Sequence, residues 1–248
     1  VFGLLLIAIL VLDWQYGIAP IAYWVIFALF SLINFWGIII ISSQFYLSSK
    51  CKGDKSDGSI ALTFDDGPVR GKTTRVLEIL KHAGVPATFF CIGKNVKELP
   101  ELTRQIHEAG HILANHSYSH GTWFDLQMTG AMVKELEATG STIHQIVGKS
   151  PHFFRPPYGV TNPMLAAAVK RTGLTSIGWS VRSFDTVISD RKKLFNRVTK
   201  ELKTGDIILF HDRCDSTIEI LPGLLDFIKK SGLKVVPLDQ LLNEKAYA

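Results

Sequence analysis

From Ile60 to Pro237 the chain alternates between two kinds of segment. Short runs rich in β-formers occur at Ile60–Phe64 (IALTF), Ala87–Ile92 (ATFFCI), His111–Asn115 (HILAN), Phe153–Arg155, Thr175–Trp179 (TSIGW), Asp206–Phe210 (DIILF) and Lys234–Pro237. Between them, apolar residues recur at helical spacing in Thr74–Ala83, Pro100–Ala109, Met128–Val147, Asn162–Arg171, Arg191–Leu202 and Ile218–Lys230. Gly84, Gly110, Gly173, Gly205 and Gly232 each fall just past a helical run, where a left-handed C-cap belongs. Repeated strand–helix–strand crossovers produce parallel strands, and near-continuous apolar strands fit a sheet covered by helices. The predicted fold is therefore α/β, a distorted (β/α) barrel of about seven units.

The first 49 residues are of another kind. They hold no Lys or Arg and one acid, Asp13, so all 27 basic residues lie from Lys50 onward. Residues 18–41 are uncharged and long enough, at about 1.5 Å per residue, to cross a hydrocarbon core of about 30 Å. Tyr23, Trp24, Trp36, Phe45 and Tyr46 include several near the ends, where interfacial aromatics belong. Residues 1–12 form a second, shorter apolar run, and Asp13–Gly17 reads as a tight connection between two helices. One or two transmembrane helices thus precede the barrel, with a signal peptide followed by a core helix as the alternative. The expected organisation is a membrane anchor over 1–47, a polar linker over 48–58 and a catalytic domain over 59–244. Beyond the anchor the Lys and Arg residues are dispersed, which gives no nucleic-acid patch.

Chemistry in a barrel of this kind gathers where strands end. Asp65 and Asp66 follow the first strand, His116 the third and Arg155 the fourth; Asp185 comes shortly after the fifth, and His211 and Asp212 follow DIILF. Adjacent carboxylates such as Asp65 and Asp66 repel unless a cation separates their roles, leaving one as ligand and one as base; a polar turn closed by Gly67-Pro68 is the plainer reading. His116 and His120, four apart in HSYSH, would share a face on a helical turn. With Asp66 they compose two imidazoles and a carboxylate, a donor set suited to a catalytic zinc or another first-row metal. In RPPYG the prolines pre-shape a loop in which Arg155 can pair with a carboxylate and the Tyr158 amide can face a developing oxyanion. His211 suits a general acid. Cys51, Cys91 and Cys214 match no zinc or redox spacing.

Taken together and in order, TFDDGP, HSYSH, RPPYG and LFHD resemble the polysaccharide deacetylase family, carbohydrate esterase family 4, over roughly Ser59 to Leu242. The resemblance implies metal-dependent removal of N-acetyl groups from amino sugars. It implies Asp65 as base, Asp66, His116 and His120 as metal ligands, Arg155 as the tether of Asp65, and the Tyr158 amide in the oxyanion hole. It further implies His211 as acid, Asp185 as its orienting partner and Leu209 as lining for the acetyl methyl. The family's Asp-x-x-Asp-Trp pattern is here Arg182-Ser183-Phe184-Asp185-Thr186: a groove aromatic is lost and a cation, Arg182, gained, which turns attention to anionic or phosphate-linked sugars.

The expected function is hydrolysis of N-acetyl groups on a polysaccharide or envelope glycan with a divalent metal, zinc first and cobalt or another first-row ion as alternatives. A deacylase or deformylase of a membrane lipid-linked sugar, a non-catalytic glycan-binding domain and a metal phosphoesterase are the competing readings. Lys50, Lys52 and Lys55 favour the cytoplasmic side for the barrel, whereas the family's exported glycans favour the extracytoplasmic side, which is the expectation taken here.

Overall fold

The computed structural model describes residues 2–17, 20–53 and 57–248. Val1, Ile18 and Ala19 of the apolar runs, and Lys55 of the expected linker, lie outside the described residues. Two helices, α1 (Phe2–Tyr16) and α2 (Pro20–Ile39), precede the sheet. The remainder runs β1 (Ser49–Lys50), β2 (Ser59–Asp65), α3 (Lys72–Ala83), β3 (Thr88–Cys91), α4 (Gly93–Glu98), α5 (Pro100–Glu108), β4 (Ile112–Asn115), α6 (Thr129–Val147), β5 (Phe153–Phe154) and α7 (Pro163–Thr172). It continues through β6 (Thr175–Ile177), β7 (Val181–Arg182), α8 (Arg191–Thr199), β8 (Ile207–His211), α9 (Asp215–Lys230), β9 (Lys234–Val235) and α10 (Leu238–Leu242).

Every strand ladder is parallel, in the order β1-β6-β5-β4-β3-β2-β8-β7, with β9 beside the start of β2. This is the expected α/β barrel left open: among the described residues β1 and β7 stand at opposite ends and do not pair. The two faces of the sheet are filled unequally. On the outer face Phe64, Phe89 and Phe210 stand in register across β3, β2 and β8, their rings stacked at 5.2 and 6.0 Å. Val76 and Leu80 of α3 and Leu221 and Leu224 of α9 cover them in one buried cluster. The inner face carries the smaller Ala61 and Ala114 together with Phe90, Ile177 and Ile207, closed at the bottom by Leu238 and Leu241 of α10.

Alternation along β2 then dictates where the chemistry goes. Leu62 and Phe64 belong to the outer cluster, so Ala61, Thr63 and Asp65 face inward. The same period on β8 sends Leu209 and His211 inward, in register with Thr63 and Asp65.

Several local expectations change. The helix α1 continues through Asp13 to Tyr16, so these residues are helical rather than a tight connection. Part of the stretch expected as a linker is built into the fold: Ser49 and Lys50 pair with Ser176 and Ile177, and Lys52 bridges to Asp206. The edge backbone of β6 needs a partner, and Ser49 and Ser176 share a buried hydroxyl contact of 2.8 Å. Two-residue β1 and β7 are too short to leave a periodic signal. All three cysteines are free thiols.

Candidate active site

Asp65 ends β2 on the inner face, almost fully buried. Its Oδ1 accepts a hydrogen bond from Arg155 Nη1 at 2.7 Å. Arg155 has no solvent exposure, and its other donors are spent on Thr63 Oγ1, Ile177 O and Gly178 O, with the guanidinium 4.0 Å above the Phe90 ring. Burial depresses the Arg155 pKa while Asp65 opposes that shift, and four hydrogen bonds hold the guanidinium in place.

Asp66 turns the other way, with a left-handed φ of 74°. One carboxylate oxygen, Oδ1, lies 3.5 Å from His116 Nε2 and 3.4 Å from His120 Nε2; Oδ2 accepts from Arg213 Nε at 2.7 Å. Burial alone would raise the Asp66 pKa, but His116, His211 and Arg213 outweigh it and hold the carboxyl well below the usual carboxylate range. His116 Nδ1 lies 2.8 Å from Arg155 O, which accepts its hydrogen bond and leaves the lone pair of Nε2 on the side of Asp66. The ligand atoms of Asp66, His116 and His120 lie within 4.8 Å of one another, close enough to share one ion.

The two histidines do not meet on a helical turn, as their spacing suggests. Residues 116–120 are a loop beyond β4, with positive φ at Ser117 (61°) and His120 (48°). Glu135 of α6 fixes that loop, its Oε2 accepting from Tyr118 N, Ser119 N and Ser119 Oγ at 2.7–3.0 Å, while Asn115 Oδ1 accepts from Ser117 N at 3.0 Å. Such left-handed residues carry backbone strain and persist only where their surroundings hold them.

His211 ends β8 opposite Asp65. Its Nδ1 lies 2.7 Å from Asp185 Oδ1, and its backbone N–H donates to Asp185 Oδ2 at 2.7 Å. Ser183 Oγ and Thr217 Oγ1 donate to the same carboxylate. Burial works to lower the His211 pKa, but the Asp185 hydrogen bond and charge, reinforced by Asp65 and Asp66, raise it above the ordinary value. Tyr158, also at positive φ (58°), brings its ring to 4.8 Å from the His120 ring. Leu209 is buried beneath, two residues before His211 on the same face of β8.

Arg182 is the sequence-derived site residue that stays apart. Its guanidinium lies over Phe184 (4.7 Å) and Trp179 (5.4 Å), on the edge strand β7, while the Trp179 ring also meets Arg155 at 5.8 Å. It borders the cluster through an indole rather than joining it.

A family model described as polysaccharide deacetylase matches residues 52–177, a span that holds Asp65, Asp66, His116, His120 and Arg155. The chain belongs to the polysaccharide deacetylase family. By enzyme class it is a deacetylase. A peptidoglycan-N-acetylmuramic acid deacetylase of Bacillus subtilis (strain 168) is 32% identical over 78% of this chain and 74% of its own. Among solved structures, a peptidoglycan N-acetylglucosamine deacetylase, Bc1960, superposes with a TM-score of 0.75 at 26% identity, covering 81% of this chain and 95% of that one. A carbohydrate esterase family 4 pseudoenzyme from Bacillus anthracis superposes with a TM-score of 0.74 at 28% identity, covering 80% and 70%. The same fold thus serves an enzyme and a pseudoenzyme, and the side chains carry the distinction.

In this deacetylase, Arg155 and Asp185 aside, the supporting residues are ones sequence reading left unassigned. Arg213 directs Asp66, Glu135 clamps the histidine loop, and Asn95 Nδ2 donates to Asp66 O at 2.9 Å. Asp212, wholly buried, accepts from Thr73 Oγ1 and packs on Gly67, and burial pushes its carboxyl up to about 7. Asp212 and Arg213 adjoin His211 in LFHDRC, which was the available signal; Glu135 looks like any charge on a solvated helix face.

Proposed function

We propose that this chain is a metal-dependent hydrolase that removes N-acetyl groups from the amino sugars of an envelope polysaccharide, peptidoglycan being the substrate class its named relatives favour. The observation that carries the reading is the convergence of a tethered carboxylate, a two-histidine and carboxylate donor set, and an acid-poised histidine on one inner rim.

The donor set fits a divalent ion. Asp66, His116 and His120 would hold it: Arg213 occupies Asp66 Oδ2 and turns Oδ1 to the imidazoles, and Arg155 O fixes the His116 tautomer. When bound there, zinc or a similar first-row metal supplies polarisation of the amide carbonyl and a lower pKa for the attacking water.

The chain's own groups complete the reaction. Asp65, held by Arg155, accepts the proton of the attacking water. The Tyr158 backbone N–H, on a residue whose ring lies beside His120, is assigned to donate to the oxygen that becomes negative as the carbonyl turns tetrahedral. His211 presents Nε2 to the site because Nδ1 is held by Asp185. From Nε2 it protonates the departing sugar amine as the C–N bond breaks, leaving acetate and a free amino sugar. Leu209 offers an apolar wall for the acetyl methyl. Arg182 is assigned an outlying subsite for an anionic group, approached across Trp179.

The test is acetate release from peptidoglycan and chitooligosaccharides by the full chain, because truncation before Lys52 would remove β1 from the sheet. Release that requires added zinc, stops with chelator and is lost in Asp65→Ala supports the proposal. No release from either glycan by protein carrying one equivalent of metal would move the assignment to another acylated sugar.

A further inference from the structure

Beyond α2, the large apolar side chains exposed among the described residues are Ile40, Phe45, Trp123, Leu126, Met128, Tyr158 and Val187. All but Val187 fall on segments that touch one another. Trp123, Leu126 and Met128 lie on the loop that follows His120 and are exposed by 73, 74 and 73%. They are not a loose tip. Phe124, between them, is fully buried in a cluster with Leu47, Phe154 and Leu165, so the backbone is pinned and holds its neighbours outward.

That loop is tied to the end of α2. Asn162 Nδ2 donates to Asp125 O at 2.7 Å. The preceding residue, Thr161, donates its N–H to Ile38 O at 3.0 Å and its hydroxyl to Gly37 O at 3.1 Å, at the last turn of α2. The Phe45 ring closes on Gly37, where a Cβ would meet it at 2.6 Å, and packs edge-on against Trp36 at 6.4 Å. The helix α2 itself is 20 residues long and uncharged, with Gly37 its one buried residue and with Trp24, Phe27, Leu32 and Phe35 all more than half exposed. A helix apolar on every side needs lipid around it. The exposed apolar loop is continuous with the end of that helix.

We propose that the loop Gly121–Met128 is a bilayer-contact surface. Trp123, Leu126 and Met128 enter the interfacial region of the leaflet in which α2 ends. The rim bearing His120 and Tyr158 then opens beside the lipid headgroups, toward amino sugars held at the membrane. The occupant is lipid rather than a glycan chain. Leu126 and Met128 offer no hydrogen bonds to sugar hydroxyls, whereas a Trp with aliphatic neighbours beside a membrane helix matches an interfacial insertion. The inference rests on α2 crossing a bilayer and does not depend on the deacetylase reading.

The test uses the full chain in nanodiscs of phosphatidylcholine and of its acyl-brominated form. The fluorescence difference between wild type and Trp123→Phe isolates Trp123. The expected result is quenching of that difference by brominated lipid and protection from aqueous iodide; iodide quenching without bromine quenching overturns the proposal. A second arm compares wild type with the triple variant W123S/L126S/M128S on a lipid-linked and on a water-soluble acetamido sugar. A loss of about tenfold confined to the lipid-linked substrate, as expected when one of two attachment points is removed, supports it. Equal losses on both substrates would mean that the loop is a sugar platform, and would overturn it. Absence of turnover on every substrate would count against the catalytic assignment alone, with the quenching result still deciding the membrane contact.

Discussion

Arg155 Nη1 donates to Asp65 Oδ1 at 2.7 Å where neither side chain is reached by solvent in more than trace amount. This contact joins stability to chemistry. Removing one member of a buried ion pair leaves the other charged and unpaired, at a cost of about 3–5 kcal/mol. Arg155→Met is expected to lose stability on that scale in denaturant unfolding and to lose deacetylation with it. Asp65→Asn keeps an oxygen for Arg155 but leaves the buried guanidinium without a counter-charge, so it too is expected to lose stability, while the rate of the folded protein falls by about 10²–10⁴, the contribution typical of a general base. An active Arg155→Met protein would remove Arg155 from the tethering role assigned here.

The Asp185 carboxylate sets the alkaline side of the pH profile. A general acid must be protonated, so rate is lost as pH rises through the pKa of His211. Asp185 raises that pKa against the opposing effect of burial. In Asp185→Asn the alkaline limb should therefore move to lower pH, and the rate at neutral pH should drop, while metal content stays at the wild-type level. A profile of kcat/KM against pH for both proteins, each loaded with zinc, reads the displacement. An unmoved limb would sever Asp185 from the acid.

Metal binding and proton transfer should separate by mutation. His120→Ala deletes a donor from the three-ligand set and Asp66→Asn replaces its one anionic donor with a neutral amide oxygen, and both are expected to lose stoichiometric zinc on dialysis. Asp65→Asn and His211→Gln should retain one equivalent yet release little acetate. Elemental analysis beside the acetate assay distinguishes these classes. Zinc retained in His120→Ala at wild-type affinity would exclude that histidine from the site.

The inner rim was legible because its residues sit at strand ends, and strand ends are marked by apolar runs. Asp65 and His211 follow IALTF and DIILF directly, and parallel register places them opposite each other. The route by which His116 and His120 converge was not legible. Their four-residue spacing suits a helix, whereas the chain reaches the same end through left-handed residues clamped by Glu135, a side chain distant in sequence. The edge strand β1 was hidden for another reason: Ser49 and Lys50 are polar, and only pairing with β6 makes them strand. Apolar length gave α2 within a few residues, but the bonds from Thr161 to its last turn are tertiary and leave no trace in hydropathy.

His111 provides a pH dependence of stability away from the rim. Burial lowers its pKa to about 4 from 6.5, and its Nδ1 accepts from Ala87 N at 3.2 Å. The native state thus resists a proton that the unfolded chain takes up below pH 6.5. The stabilisation is present above 6.5 and is lost as pH falls toward 4, by up to about 3 kcal/mol. His111→Gln lacks this titration, so its unfolding free energy should change less over that interval than the wild type's, whatever its stability at pH 7.5. Parallel slopes for the two proteins would contradict the assignment.

Gly67 is fixed by its neighbour across the turn rather than by its own φ. A Cβ at this position would overlap the carboxylate of Asp212, which is wholly buried and held by Thr73 Oγ1 at 2.5 Å. Neither partner has room to give way. Gly67→Ala is therefore expected to cost about 1–3 kcal/mol, as overpacking does, and to displace the adjoining Asp65 and Asp66. If the clash with Asp212 is the cause, deleting that carboxylate makes space for the added methyl. The double variant G67A/D212A should then be more stable than the sum of the two single losses predicts, with a coupling of about 0.5–3 kcal/mol. Rate should follow stability, because the same movement that relieves the clash lets Asp65 return to Arg155. Strict additivity in unfolding free energy, with both single variants impaired, would mean that Gly67 and Asp212 act on the turn separately.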